Sequence, residues 1–234
     1  MSFWRTLADL FLPRHCVVCN AELDGSEKDL CNVCLCNLTP VRWNSATNNP
    51  LLRSLWDKYD IEAAGSSFYY NTDSDFHNVF MALKYYGCPY LGERLARISF
   101  PYWSGLGLGN GVDYIVPIPL SLRRRLKRGY NQAEWVARGV AASLAIPVRN
   151  DILVRRKNND SQTHKTAKER QQNTQGIFSV RSGCENLNSK TILLVDDIVT
   201  TGSTLCDCIR ALRQVFPNVK VQVFTLGVTA RGNG

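Results

Sequence analysis

No apolar run in the 234 residues approaches the ~20 needed to cross a bilayer, which excludes a membrane-spanning helix. The opening stretch, MSFWRTLADLFLP, is too broken by Arg5 and Asp9 for a signal-peptide core. Its Phe3, Leu7, Leu10 and Phe11 give it one apolar face, suited to packing on the body or to a weak membrane or partner contact. These absences predict a cytoplasmic protein, with a peripheral contact at the inner membrane as its one membrane role. No internal repeat is present, so a solenoid is excluded. Acidic residues are in deficit: 20 Asp and Glu stand against 28 Lys and Arg, a formal net charge of +8. That balance favours a polyanionic partner. GLGLGNG lacks the flanking strand and helix of a dinucleotide fingerprint and reads as a loop.

What is present begins with cysteine. Of nine in the chain, Cys16, Cys19, Cys31 and Cys34 form two C-x-x-C pairs. Four thiolates close a tetrahedral zinc site, and with no open position such a site is structural. Asn20 after the first pair tolerates the left-handed turn that such a knuckle needs. In a reducing compartment, paired spacing favours metal over redox-active or merely buried thiols. Cys36 and His15 lie near enough to compete as ligands. Zinc would supply folding energy to a segment too small for a core of its own. Cys88, Cys184, Cys206 and Cys208 are scattered and read as small core or surface residues.

The most informative stretch is ILLVDDIVTTGST, Ile192 to Thr204. Ile192 to Val195 suit a strand buried on both faces of a parallel sheet. From Ser203 the period changes: Leu205, Ile209, Leu212 and Phe216 recur at helical spacing until Pro217-Asn218 ends the helix. Thr200, Thr201, Gly202, Ser203 and Thr204 therefore join a strand to a helix N-terminus, where free N–H groups and hydroxyls favour an anion. Gly202 lets the backbone approach a phosphate closely. No lysine follows that glycine, which argues against a Walker loop. Asp196 and Asp197 would repel a phosphate directly, and they fit sugar hydroxyls or a magnesium ion on the same ligand.

Elsewhere, PVRWNSATNNP reads as a turn-rich linker and SSFYY as a short strand. Residues 76–84 and 91–98 read as two short helices. Val112 to Val116 read as a buried strand ending at Pro117-Ile118-Pro119, a turn expected beside the phosphate loop, because ligands sit at strand carboxyl ends. Asn131 with Glu134 predicts a capping box that opens a helix through Leu144. Trp135 on that helix is expected in the core. VKVQVFTLGV supplies a last strand, so strands and helices alternate in a doubly wound pattern. Two basic runs stand out, Arg123, Arg124, Arg125, Lys127 and Arg128, and then Arg155, Arg156, Lys157, Lys165, Lys168 and Arg170. The second is polar enough to be a mobile surface loop.

LLVDDIVTTGST resembles the signature with which phosphoribosyltransferases hold phosphoribosyl pyrophosphate (PRPP). The likeness assigns Asp196 and Asp197 to the ribose hydroxyls and residues 200–204 to the 5-phosphate. The order of the four-cysteine module, LKYYG, VPIPL with RRLKRGYNQA, Arg156 to Phe178, and the acid-pair loop is similar to the ComF family, which includes GntX of Gram-negative bacteria. The likeness runs from about Cys16 to Thr229. It implies an α/β fold: a doubly wound, mostly parallel sheet of the type I phosphoribosyltransferase kind, preceded by a small zinc module. Residues 1–45 would form the module. Residues 46–234 would form the phosphoribosyltransferase-like domain, with 46–108 as a hood-like segment and 109–234 as its core.

Two functions follow from the resemblance. One is natural competence or use of DNA as a nutrient, with PRPP-type ligands and incoming single-stranded DNA bound in the cytoplasm near the DNA-uptake machinery. The other is an active phosphoribosyltransferase that moves phosphoribosyl from PRPP to a base or amine while magnesium neutralises the leaving pyrophosphate. In hypoxanthine-type relatives an acid stands where this chain has Thr200, which puts that substrate class in doubt. In either reading Pro117, Ile118, Pro119, Arg123, Arg124, Arg125, Arg128, Lys165, Lys168 and Arg170 are the expected pyrophosphate or DNA contacts. Tyr130, Trp135 or other aromatics would stack on bases.

Overall fold

Branched apolar side chains from Ile192 to Val195 dictate a central strand, and the other elements arrange themselves around it. The computed structural model describes residues 14–24, 27–56, 59–72, 74–156 and 176–229. In chain order these form α1 (Asn32–Asn37), α2 (Pro50–Trp56), β1 (Ala63–Tyr70), α3 (Asp75–Tyr85), α4 (Tyr90–Gly105), β2 (Tyr114–Pro117), α5 (Leu122–Arg128) and α6 (Gln132–Leu144). They continue with β3 (Leu153–Arg155), β4 (Phe178–Val180), β5 (Thr191–Val199), α7 (Ser203–Val215) and β6 (Lys220–Thr229).

The main sheet runs β1-β6-β5-β2, and every pairing in it is parallel. Ile192, Leu193, Leu194 and Val195 are all fully buried, as a strand covered on both faces requires. Helix α4 covers one face, where Phe100 meets Phe224 of β6 edge-on at 5.0 Å between centroids. Helix α6 packs beside α4 at close range. A Cβ at Gly139 would collide with the carbonyl oxygen of Glu93, so only glycine permits that approach. Helix α7 lies on the opposite face and buries Leu205, Cys208, Ile209 and Leu212. The expected mostly parallel, doubly wound sheet is the one observed.

Several boundaries differ from the sequence reading. The strand expected over Val112 to Val116 is β2, Tyr114–Pro117, because Val112 still belongs to the preceding turn, its N–H donating to Gly109 O. SSFYY is the end of a longer strand, since Ala63, Ala64 and Gly65 are small enough to lie under the helices. The two short helices extend to Asp75–Tyr85 and Tyr90–Gly105. Strand β5 does not stop before the acids: it runs through Asp196 and Asp197 to Val199 because β6 keeps pairing beside it. The turn-rich linker is tied down, with the Val41 N–H donating to Ser67 O and the Ala64 N–H to Ala46 O.

Arg155 lies in β3 rather than in a loop, paired antiparallel with β4. Trp135 is not core: it is half-exposed, and the Arg138 guanidinium sits 4.6 Å from its ring. The N-terminal apolar face and the mobile-loop expectation for Lys157, Lys165, Lys168 and Arg170 lie outside the described residues.

Candidate functional site

The acid pair sits where β5 emerges from the sheet. Alternation along the strand turns the two carboxylates to opposite faces. Asp196 Oδ1 accepts from the Asp197 N–H at 2.9 Å, and Asp197 Oδ1 accepts from the Ile198 N–H at 2.8 Å. On its side, Asp197 meets Lys84 Nζ at 3.8 Å. That ammonium also stands 3.6 Å from the centroid of the Phe80 ring. Burial pulls the Lys84 pKa down and Asp197 opposes the shift. Burial, and then the Asp197 charge, hold the Asp196 carboxyl well above the ordinary carboxylate range. An acid this costly to ionise is one that a divalent cation or a set of hydroxyl donors would stabilise.

Around the pair lies a cavity of about 170 Å³, lined by Lys84, Ile118, Pro119, Arg124, Arg128, Gln132, Arg155, Asp196, Asp197 and Thr204 among others. Four cationic side chains thus face two carboxylates, a balance that suits an anion carrying several charges. The Ile118-Pro119 turn lies against β5, where Ile118 donates its N–H to Val195 O at 2.9 Å, and it shares the cavity lining with Thr204. Of the first basic run, Arg124 and Arg128 line the cavity, whereas Arg123 and Arg125 do not. Pro117 is buried at the end of β2, also off the lining. A larger open groove of about 540 Å³ holds Asp60, Glu62, Arg213 and Lys220 at the amino end of β6. That is the end of the sheet where parallel strands do not usually bind ligands.

The turn after β5 is shaped locally. Thr201 donates its hydroxyl to Ser203 Oγ at 3.1 Å, and Thr229 donates its own to Thr200 O at 3.4 Å. Thr204 is the one member of this turn on the cavity lining. Gly202 is left-handed at φ 74, and a Cβ there would lie 2.5 Å from Leu55 Cδ2. Its necessity within the protein is therefore both conformational and steric. Gly202→Ala is expected to cost about 1–3 kcal/mol of stability through backbone strain alone. A denaturant titration with an unchanged midpoint would refute that expectation.

Sequence reasoning missed Lys84, Gln132 and Arg155. Lys84 lies inside LKYYG with no local sign of its charge partner, and Arg155 opens a polar run whose composition reads as a loop. The capping box does not form either. Asn131 makes no side-chain cap bond, because its Nδ2 donates to Ile118 O at 2.9 Å, and Glu134 pairs with Arg138 at 2.7 Å. Tyr130 is tied to the body, its hydroxyl donating to Leu83 O.

The second constellation is the thiol cluster. The sulfurs of Cys16, Cys19, Cys31 and Cys34 all lie within 4.8 Å of one another, so they could hold a metal ion. Cys19 and Cys31 are 3.8 Å apart at sulfur, and metal–sulfur arms of about 2.3 Å in a tetrahedron give edges of about 3.8 Å. Asn20 is left-handed at φ 59, as the knuckle requires. Among the described residues neither Cys36 nor His15 joins the group.

The cluster is held by backbone donors: the Val18 and Cys31 N–H groups point at Cys16 Sγ, and the Cys34 N–H points at Cys31 Sγ. Burial works against the Cys16 thiolate, yet the N–H groups of Cys19, Cys31 and Val18 outweigh it and bring the thiol to about 7. Burial and the neighbouring sulfurs push Cys34 up. Glu27 carboxylate oxygens accept from the N–H groups of Asp24 and Asn32, tying the two knuckles together. The cluster docks on the body through Tyr90, whose hydroxyl donates to Asp29 Oδ1 at 2.7 Å.

Residues 131–231 match the family model described as the phosphoribosyl transferase domain. Competence protein F of Haemophilus influenzae is 38% identical over 103 residues, 44% of this chain and 45% of that protein. Competence protein ComFC of Bacillus subtilis is 36% identical over 113 residues, 48% of this chain and 43% of that protein.

Over this stretch the chain is similar to the ComF competence proteins.

A further relative, the DNA utilization protein YhgH of Salmonella typhi, is 31% identical over 100 residues, 43% of each chain. In each case the matched stretch spans less than half the length of the curated relative. Among solved structures, adenine phosphoribosyltransferase of Leishmania tarentolae superposes with a TM-score of 0.34 at 12% identity, over 60% of this chain and 71% of that one. In this chain the domain match begins at Asn131, so β1 to α5 and the thiol cluster lie ahead of it. No helix among the described residues is long and apolar enough to cross a membrane.

Proposed function

We propose that the cavity binds PRPP with magnesium, and that the protein is a competence factor that handles incoming single-stranded DNA. The observation that carries this reading is the cavity itself. It joins the acid pair, Thr204, the Ile118-Pro119 turn and four cations in one space. The acids receive the ribose hydroxyls, the 200–204 turn receives the 5-phosphate, and Arg124 and Arg128 receive pyrophosphate. The two carboxylates are hard oxygen donors that fit magnesium. When bound, magnesium neutralises charge on pyrophosphate. Lys165, Lys168 and Arg170 remain proposed contacts of the same ligands. Residues 1–45 act as the metal module, with zinc as the structural ion, and residues 46–234 as the ligand-binding domain.

The DNA reading has its own support. Helix α5 buries none of its residues and carries Arg123, Arg125 and Lys127 on an open surface. Beside it Tyr85 and Tyr86 are exposed, and the Arg128 guanidinium stands 5.1 Å from the centroid of the Tyr85 ring. Exposed aromatics interleaved with cations suit stacking of unpaired bases along a neutralised backbone. These tyrosines join Tyr130 and Trp135 as proposed stacking aromatics. The name of YhgH and the competence names of the other relatives point the same way.

The second reading is an active phosphoribosyltransferase, favoured by the intact acid pair. Its residues would act by positioning the ligand and stabilising charge.

One experiment tests the division of labour. Arg123→Ala with Arg125→Ala is expected to weaken single-stranded DNA binding alike for unrelated sequences. The magnitude of the slope of log affinity against log salt should fall by about 0.7 per lost contact. PRPP affinity should not change. Arg124→Ala with Arg128→Ala is expected to raise the PRPP dissociation constant. Wild-type DNA affinity and salt slope in the first pair would end the DNA assignment for α5 and leave the transferase reading ahead.

A further inference from the structure

The packing of α3 brings Lys84 to the acid pair. Phe76, Val79, Phe80 and Leu83 recur at helical spacing and are buried, which fixes the helix on the body. The Tyr130 hydroxyl donates to Leu83 O and pins the last turn. Lys84 lies in that turn, where a cation meets the negative end of the macrodipole. Its Nζ stands 3.8 Å from Asp197 Oδ2 and 3.6 Å from the centroid of the Phe80 ring, and both charged side chains are largely buried. The face of the ring is a second support for the ammonium. Among the described residues, Lys84 is the one cation of the cavity lining that pairs with a carboxylate. Arg128 and Arg155 stand instead near the rings of Tyr85 and Phe178. An ammonium is a compact point charge on a flexible stem, and so resembles a small hard cation more than a planar guanidinium does.

We infer that Lys84 is the resident counter-ion of the acid pair: its ammonium holds the cation position at Asp197 in the ligand-free protein and yields it when a divalent cation enters with the ligand. The inference rests on the PRPP reading and gives Lys84 a role which that reading leaves open. A cation tethered to the fold has a high effective concentration at Asp197. Free magnesium therefore competes poorly for the same oxygen atoms. An anionic ligand changes the balance, because its own charge receives the displaced ammonium. Metal and ligand then enter together, and the acids do not fill with metal alone. Lys84 is a positioning residue in this role, acting through Asp197 to favour the metal-bound form of the ligand.

The test uses magnesium chloride alone and PRPP with magnesium as separate calorimetric probes of the full chain, beside melting temperatures. Lys84→Met keeps an apolar stem over Phe80 and removes the charge, so the affinity for magnesium alone should rise about tenfold. Without magnesium the variant should melt below wild type, because Asp197 loses its partner in a buried site. Added magnesium should restore it, whereas wild type should respond little. Lys84→Arg keeps the charge and should leave the affinity for free magnesium at the wild-type value. In an Asp197→Asn background, Lys84→Met should bring no gain in magnesium affinity. A lysine that merely props the fold would lower the melting temperature equally with and without magnesium, and that result would overturn the inference. A Lys84→Met chain that folds only with magnesium is the extreme form of the expected result, and one that stays unfolded with magnesium overturns it. Wild type that binds PRPP with magnesium, while Lys84→Met gains no metal affinity, sinks the counter-ion role alone. Tighter magnesium binding by Lys84→Met, with no PRPP binding by wild type, keeps that role and removes the PRPP reading.

Discussion

Asp196→Asn together with Asp197→Asn is expected to abolish magnesium-dependent PRPP binding while the fold persists. The amide oxygens can still accept from the N–H groups of Asp197 and Ile198, so the local backbone keeps its bonds. What disappears is the negative charge that a cation and the ribose hydroxyls require. The loss should exceed tenfold, since a charged acceptor contributes about 1.5–3 kcal/mol per hydrogen bond. A calorimetric titration showing unchanged PRPP affinity would make the acid pair a relic.

The single variant Asp196→Asn adds a pH signature. Burial and Asp197 raise the native pKa of Asp196 above its unfolded value, so the native state holds this proton more tightly than the unfolded chain does. The stability contributed is fully present below the ordinary carboxylate pKa of about 4 and is lost as the pH rises through the raised native value. Without ligand, Asp196→Asn should therefore melt above wild type near neutral pH. It should converge with wild type in acid, below the ordinary carboxylate range. Equal melting temperatures at neutral pH would contradict the burial argument. Together the two variants would exhibit a trade of stability for binding at one residue.

Cys31→Ser should strip the N-terminal module of its metal and destabilise it, the second large effect. Cys31 also holds the N-cap position of α1, where its sulfur accepts from the Cys34 N–H at 3.3 Å. Serine is a good N-cap, so the helix start survives the change and the loss isolates the ligand. Metal analysis of wild type should give about one zinc per chain, and the variant close to none. The melting temperature should fall as well, because the cluster packs on the body. Leu30 beside it is fully buried, and Arg94 Nη1 of α4 donates to Leu30 O at 3.3 Å. A chelator should reproduce the effect in wild type. Reduced wild-type protein containing no zinc would remove the assignment.

Much of this architecture was legible because it is written in local, periodic signals. The two cysteine pairs announced a thiol cluster, since two residues between ligands form a knuckle whatever follows. The run from Ile192 to Val195 and the change of period at Ser203 marked a buried strand, a turn and a helix. The acids announced themselves by standing between the two. Boundaries were less legible. Strand β5 continues past the apolar run because pairing with β6 sustains it, and that partner lies in a later part of the chain. The capping box at Asn131 failed for a related reason: Ile118 O, a tertiary neighbour, captures the amide that local rules assign to the helix.

By itself the sequence determined the fold class, the cysteine quartet and the place of the acid pair, each of which depends on residues a few positions apart. Only the tertiary structure decided which cations face those acids. Lys84 reaches Asp197 across 113 residues of chain (197 minus 84), and Arg155 enters the cavity from β3. Helix α5 points Arg124 and Arg128 inward and leaves Arg123 and Arg125 outside, a distinction that composition cannot carry. The burial of Gln132, whose Nε2 has no partner among the described residues, is likewise invisible in the letters. Charge pairing and desolvation depend on distances between atoms, and those are set when β5, α3 and α6 pack together.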